Sequence, residues 1–124
     1  MWRRPFALLS ALYALGCGTA APSPDSFRYR VPGDVCGLEV CPNDERVDAE
    51  HLAACHQLMS EPDDPCRDAF RELVGCSAAA SVCDASGRLD PKKSTPRVEG
   101  LCITPLRDFR TCCADHVDAP VCML

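Results

Sequence analysis

Eleven cysteines in 124 residues constrain what this chain can fold into more than any other feature. The large apolar side chains are few: four Phe, two Tyr and one Trp, of which Trp2, Phe6 and Tyr13 stand near the N-terminus. A core that thin leaves little surplus over the conformational entropy lost on folding. Each disulfide contributes about 2–4 kcal/mol by restricting the unfolded chain. The cysteines therefore read as a replacement for a core. The expected fold class is all-α, small and disulfide-rich, with about three short helices, a disulfide-stapled helical hairpin and irregular loops.

A first helix is expected from about Asp44 or Asp48 to Ser60, where Val47, Leu52, Cys55 and Leu58-Met59 recur on one broad face. Asp64-Pro65 is an N-cap followed by a proline at the first helical position, so a second helix runs from there to about Ala80. Thr104-Pro105 repeats the signal and opens a third helix to about His116. Residues 84–100 lack periodicity and read as loop. Cys36 and Cys41 bracket Gly37–Val40 as a stapled loop, and Pro120 with Cys122 ties down the tail.

Cys66 and Cys76 are separated by nine residues, as are Cys102 and Cys112, and the interiors match. Phe70 and Leu73 in the first segment correspond to Leu106 and Phe109 in the second, at offsets that keep apolar residues near one side of a helix. Laid antiparallel, two such helices place the first cysteine of each opposite the last of the other. Bridges Cys66–Cys112 and Cys76–Cys102 would staple both ends. The adjacent Cys112 and Cys113 should take partners on different elements, and the pairing of the other six cysteines stays open. The pattern resembles the twin Cx9C motif of coiled-coil-helix-coiled-coil-helix proteins over residues 66–112. It departs from it in a long connection containing Cys83, the extra Cys113, and prolines at different registers. Only the topology of that family is implied.

The N-terminus carries a positive end, Arg3-Arg4, and then an apolar run from Phe6 to Leu15, which describes an export signal too short to span a bilayer. The run ends in Ala14-Leu15-Gly16-Cys17, which resembles the lipobox of bacterial lipoproteins. The resemblance implies cleavage before Cys17, acyl chains on Cys17 and stable membrane anchoring. Gly18, rather than Asp, follows Cys17, which in that family favours the outer membrane. Ordinary secretion, with cleavage after Ala21, is the rival reading. Setting Cys17 aside leaves an even ten: Cys36, Cys41, Cys55, Cys66, Cys76, Cys83, Cys102, Cys112, Cys113 and Cys122. The expected organisation is a signal peptide at 1–16, a lipid-anchored tether at 17–35 and a cysteine-rich helical domain at 36–124. The whole chain resembles small cysteine-rich lipoproteins of Gram-negative bacteria. In the tether, Phe27, Tyr29 and Val31 alternate with Arg28 and Arg30, which suits a short edge strand or a recognition segment, a strand or cover packed on the domain being preferred. The net charge of −5 includes Arg3 and Arg4, so the mature chain is more acidic still. Such a surface argues against a nucleic-acid partner.

Chemistry-bearing constellations are sparse. Cys112-Cys113-Ala114-Asp115-His116 resembles the Cys-Cys-x-x-His stretch of secreted phospholipases A2, in which the histidine activates a water and the following Asp helps to bind calcium. Here Val117 follows His116, no glycine-rich calcium loop precedes it, and Ala119 stands at the expected closing cysteine. Reduced Cys55, Cys112 and Cys113 with His56 and His116 would make a zinc set, but an oxidising compartment bridges them. His51 and His56 are on different helix faces. Asp84–Asp90 looks like a calcium loop but lacks the final Glu of an EF-hand. The expectation is a non-catalytic envelope protein without metal or cofactor, binding the membrane through Cys17 and an unidentified protein or small molecule. The alternatives are a hydrolase centred on His116, or a protease-inhibitor-like module presenting Arg88, Lys92 or Lys93 from an exposed loop.

Overall fold

The computed structural model describes residues 23–124. In chain order the helices are α1 (Ala49–Met59), α2 (Arg67–Ala80), α3 (Pro91–Leu101) and α4 (Ile103–Asp115), closed by a 3₁₀ turn at Pro120–Met123. Among the described residues there is no strand beyond an isolated bridge between Cys83 and Leu89, and no helix is long and apolar enough to cross a membrane.

The two nine-residue cysteine segments form the axis. Cys66–Cys112 and Cys76–Cys102 bridge the ends of antiparallel α2 and α4. Between the staples the Phe70 and Phe109 rings meet at 5.6 Å, tilted by 50°. Two small apolar clusters flank this pair. One comprises Cys76, Ala80, Leu101 and Cys102, covered by Phe27, Tyr29 and Val98. The other comprises Cys66, Ala119 and Val121, covered by Leu58, Met59, Phe70 and Phe109. Half-cystines sit in the middle of both.

The helix ends follow their local chemistry. Asp48 caps α1 by accepting the His51 N–H at 2.9 Å. Asp64 accepts the Cys66 N–H at 2.9 Å, and after Pro65 the regular helix begins at Arg67, slightly later than the cap alone suggests. α4 ends at Asp115, with His116 as its cap.

The segment 84–100 is not all loop. Asp90 accepts the Lys93 N–H, Pro91 takes the first helical position, and α3 runs on through Pro96. Pro96 removes the hydrogen bond that its N–H would give the Lys92 carbonyl. What holds α3 is buried Ser94, whose Oγ accepts the Val82 N–H at 2.9 Å, together with Leu101 and Val98 in the first cluster. Arg97 Nε donates to the Ala80 carbonyl at 2.8 Å, which satisfies an otherwise open acceptor at the end of α2.

Two loops are joined. Cys36 and Cys41 do not staple one another: Cys36 bonds Cys55 and Cys41 bonds Cys83. Asn43 Nδ2 donates to the Ser86 carbonyl at 2.7 Å, and Asp44 Oδ1 accepts the Leu89 N–H at 2.7 Å. Gly87, at φ +78°, allows this close approach, since a Cβ there would lie 2.6 Å from Asn43 Nδ2.

Residues 27–33 form an extended strap rather than a free tether or a strand. Phe27 and Tyr29 cover the first cluster, Tyr29 OH donates to Glu72 at 2.9 Å, and Arg71 donates to the carbonyls of Pro32 and Gly33. Val31 passes over Gly75, where a Cβ would lie 3.2 Å from its Cα. Burial and the Glu72 carboxylate raise the Tyr29 phenol above its ordinary pKa.

Candidate functional site

The recess beside α1 is built by one disulfide. Cys36–Cys55 fixes the loop after the strap against the middle of α1, which brings Asp34, two residues before Cys36, beside His56, one residue after Cys55. The Asp34 carboxylate accepts the His56 Nε2–H at 2.9 Å with one oxygen and the Cys36 N–H at 2.8 Å with the other. These bonds hold the Asp34 carboxyl below the ordinary carboxylate pKa, with His56 the larger cause and the Cys36 amide next. Gly37, at φ +67°, turns the chain over Leu52. The resulting cavity, about 240 Å³, has Leu38, Val47 and Leu52 as apolar wall and Arg46 paired to Glu39 at 3.2 Å on its rim. Val47 is 51% exposed, so this wall faces solvent.

The chemistry available here is that of a carboxylate–imidazole pair. His56 is oriented by Asp34 as a general base would be. The nearest sulfur, Cys36 Sγ, lies within 4.8 Å of both donors but is bridged to Cys55 and offers neither a nucleophile nor a thiolate ligand. Asp34 and His56 alone are fewer protein donors than zinc sites use. The geometry suits binding: an apolar wall, a charged rim and an oriented hydrogen-bonding pair.

The sequence candidates lie elsewhere. Cys112 and Cys113 are both bridged, to Cys66 and Cys122, so the segment ending at His116 holds no thiolate. His116 is exposed at the end of α4, beside a shallow hollow that Asp63, Asp115 and Asp118 also line. The imagined zinc set of Cys55, His56, Cys112, Cys113 and His116 is not assembled. Among the described residues the close donor groups are Cys66, Cys113 and Cys122, and Asp34, Cys36 and His56.

The Asp84–Asp90 turn satisfies its own carboxylate. Asp84 Oδ1 accepts from Ser86 Oγ at 2.6 Å, Ser86 N at 2.8 Å and Arg88 N at 3.1 Å. These bonds lower its pKa, the Ser86 hydroxyl most. Arg88 is exposed on this turn; its carbonyl accepts the Asp84 N–H at 2.7 Å and the Leu89 N–H is held by Asp44, which ties the Arg88–Leu89 peptide into the turn. Lys92 and Lys93 lie in the first turn of α3, not on an extended loop.

The Asp34–His56 pair was hidden in the sequence because its members are 22 residues apart. The pairing of Cys36 with Cys55, had it been readable, would have been the signal. Cys17 and the cleavage site lie outside the described residues. No family model, curated protein or solved structure matches the chain.

Proposed function

We propose that this protein is a non-catalytic, lipid-anchored component of a Gram-negative envelope, acting as a binding or structural module. The observation that carries the reading is the cysteine pairing. The ten cysteines from Cys36 to Cys122 bridge among themselves, which leaves Cys17, at the lipobox position, as the odd one. An exported domain held by bridges and a cysteine modified by lipid account for the count together.

The docked strap adds a geometric consequence. Between Cys17 and Phe27 the chain can extend by at most ~35 Å, so the helical domain rides close to the bilayer with its strap side nearest the anchor. The recess formed by Leu38, Val47, Leu52, Arg46 and the Asp34–His56 pair is the surface offered to a protein or small-molecule partner. The test is detergent-phase partitioning of the full chain, expressed in a Gram-negative host. The natural sequence is expected in the detergent phase and Cys17→Ala in the aqueous phase. Retention of Cys17→Ala in detergent would reject the anchor.

A further inference from the structure

Two bridges at one end of the α2–α4 pair share a sulfur cluster. The Sγ atoms of Cys66, Cys113 and Cys122 lie within 4.8 Å of one another, while Cys66 is bonded to Cys112 and Cys113 to Cys122. Adjacent residues of the last turns of α4 thus carry one half of each bridge. Access differs sharply: Cys66 is 0% exposed, whereas Cys112, Cys113 and Cys122 are partly exposed. So does what each bridge holds. Cys66–Cys112 closes 46 residues and staples α2 to α4, whereas Cys113–Cys122 closes 9 and holds only the tail. Disulfide exchange proceeds by thiolate attack on a reachable sulfur. Both residues of the tail bridge are therefore open to an outside thiol, whereas the staple offers only its Cys112 side.

We propose that these four cysteines form one intramolecular exchange unit, in which a two-electron reduction entering at Cys113–Cys122 is passed to Cys112 while Cys66 stays bonded. The reductant is a dithiol of the compartment, either a protein or a small molecule. Its first thiolate bonds to the Cys122 sulfur, the Cys113–Cys122 bond breaks, and Cys113 leaves as a thiolate. Its second thiol then displaces Cys122, which departs as a thiol, and the dithiol becomes a disulfide. The Cys113 thiolate attacks the neighbouring Cys66 sulfur. The Cys66–Cys113 bond forms, the Cys66–Cys112 bond breaks, and Cys112 leaves as a thiolate that takes a proton from water. The dithiol has lost two electrons and the protein carries thiols at Cys112 and Cys122. The staple between α2 and α4 survives, moved by one residue. An oxidised dithiol reverses the sequence. The unit thus exchanges disulfides with dithiol partners without giving up the helical pair, and it does not depend on the anchor.

Cys122→Ser isolates the internal step by leaving Cys113 without its partner. After export and purification, the native variant is alkylated with iodoacetamide near neutral pH, digested without reduction and sequenced by mass spectrometry. The expected label is divided between Cys112 and Cys113 and absent from Cys66, with Cys66–Cys113 and Cys66–Cys112 peptides both present. Label confined to Cys113, with Cys66–Cys112 alone, would overturn the proposal. The natural sequence supplies a second reading that needs no substitution. It is partly reduced with a phosphine at about pH 3, where thiolates are too few for exchange, and its thiols are trapped with a maleimide either at once in acid or after a step to about pH 8. Label is expected on Cys113 and Cys122 in the acid arm and shifted from Cys113 to Cys112 in the basic arm. Failure to shift overturns the internal transfer. First opening of any other bridge overturns the point of entry.

Discussion

Asp64→Ala is the substitution that most directly tests how the tail is held to the helical pair. The Asp64 carboxylate, only 7% exposed, accepts the Cys66 N–H at 2.9 Å and the Val121 N–H at 3.0 Å. It therefore ties the start of α2 to the closing 3₁₀ turn across 57 residues. Alanine leaves both buried donors without a partner, at about 1–3 kcal/mol each. The charged acceptor argues for the upper part of that range, whereas exposed Asp63 and Pro65 let water reach one side. The sum is about 3 kcal/mol, a large share of the ~5–15 kcal/mol typical of a whole domain. Asp64→Asn keeps one good acceptor but turns an amide NH₂ toward the other donor, so it should cost about half as much or more. The assay is guanidinium unfolding with the bridges intact, combined with amide exchange at Val121. Asp63→Ala serves as the exposed control. A loss below about 0.5 kcal/mol, or unchanged protection of the Val121 amide, would refute the assignment of Asp64 as the clamp.

Three further outcomes follow from named contacts. Gly75→Ala places a Cβ 3.2 Å from Val31 Cα, while the helix itself gains up to ~1 kcal/mol in propensity. Midpoint stability should change by less than about 1 kcal/mol, yet limited trypsinolysis at Arg28 and Arg30 should quicken as the strap lifts; unchanged cleavage would show that the strap yields without undocking. Ser94→Ala leaves the Val82 N–H without its acceptor and should cost about 1–2 kcal/mol by denaturant unfolding, whereas a neutral result would mean that α3 is held by Leu101 and Val98 alone. The carboxyls of Asp34, Asp48 and Asp84 are all held below their ordinary pKa, by His56, by the His51 amide and by the Ser86 hydroxyl respectively. Between the folded and unfolded pKa values the unfolded chain binds more protons, so this stability is full above about pH 4 and is lost as pH falls further. Thermal unfolding should therefore decline mainly below pH 4, less steeply in Asp84→Asn, and a decline that set in near neutrality would contradict it.

The parts legible in the sequence are those where spacing alone defines a neighbour. The matched nine-residue intervals place Cys66 opposite Cys112 and Cys76 opposite Cys102, with Phe70 and Phe109 between them, because a helical period fixes both the face and the register. α3 escaped for a specific reason. Asp90-Pro91 carries the same cap-then-proline signal as Asp64-Pro65, but Pro96 and Gly100 read as breakers and the inward position is held by polar Ser94. Its packing lies in a hydrogen bond to the Val82 backbone, which no hydrophobic pattern records. The strap was legible as an alternation and not as a docked cover, since its partner, the bare backbone at Gly75, appears only once α2 is placed.

The candidate site was illegible for a different reason, which also bears on where function resides. α1 contributes no buried residue. It is held by Cys36–Cys55, by the His56–Asp34 pair and by contacts of Leu58 and Met59 with the tail cluster. A helix fastened this way need not spend its outward side chains on packing. The α2–α4 pair, by contrast, gathers both apolar clusters around its staples, and its inward residues are committed to folding. The constraint that shapes α1 is thus covalent and long-range, and a covalent constraint leaves no periodic trace. It does leave neighbours: once Cys36 meets Cys55, Asp34 and His56 have little choice but to face each other. In a domain whose bridges replace its core, the side chains least bound by folding line the recess between α1 and the Asp34–Asp44 loop, the surface proposed above for a partner.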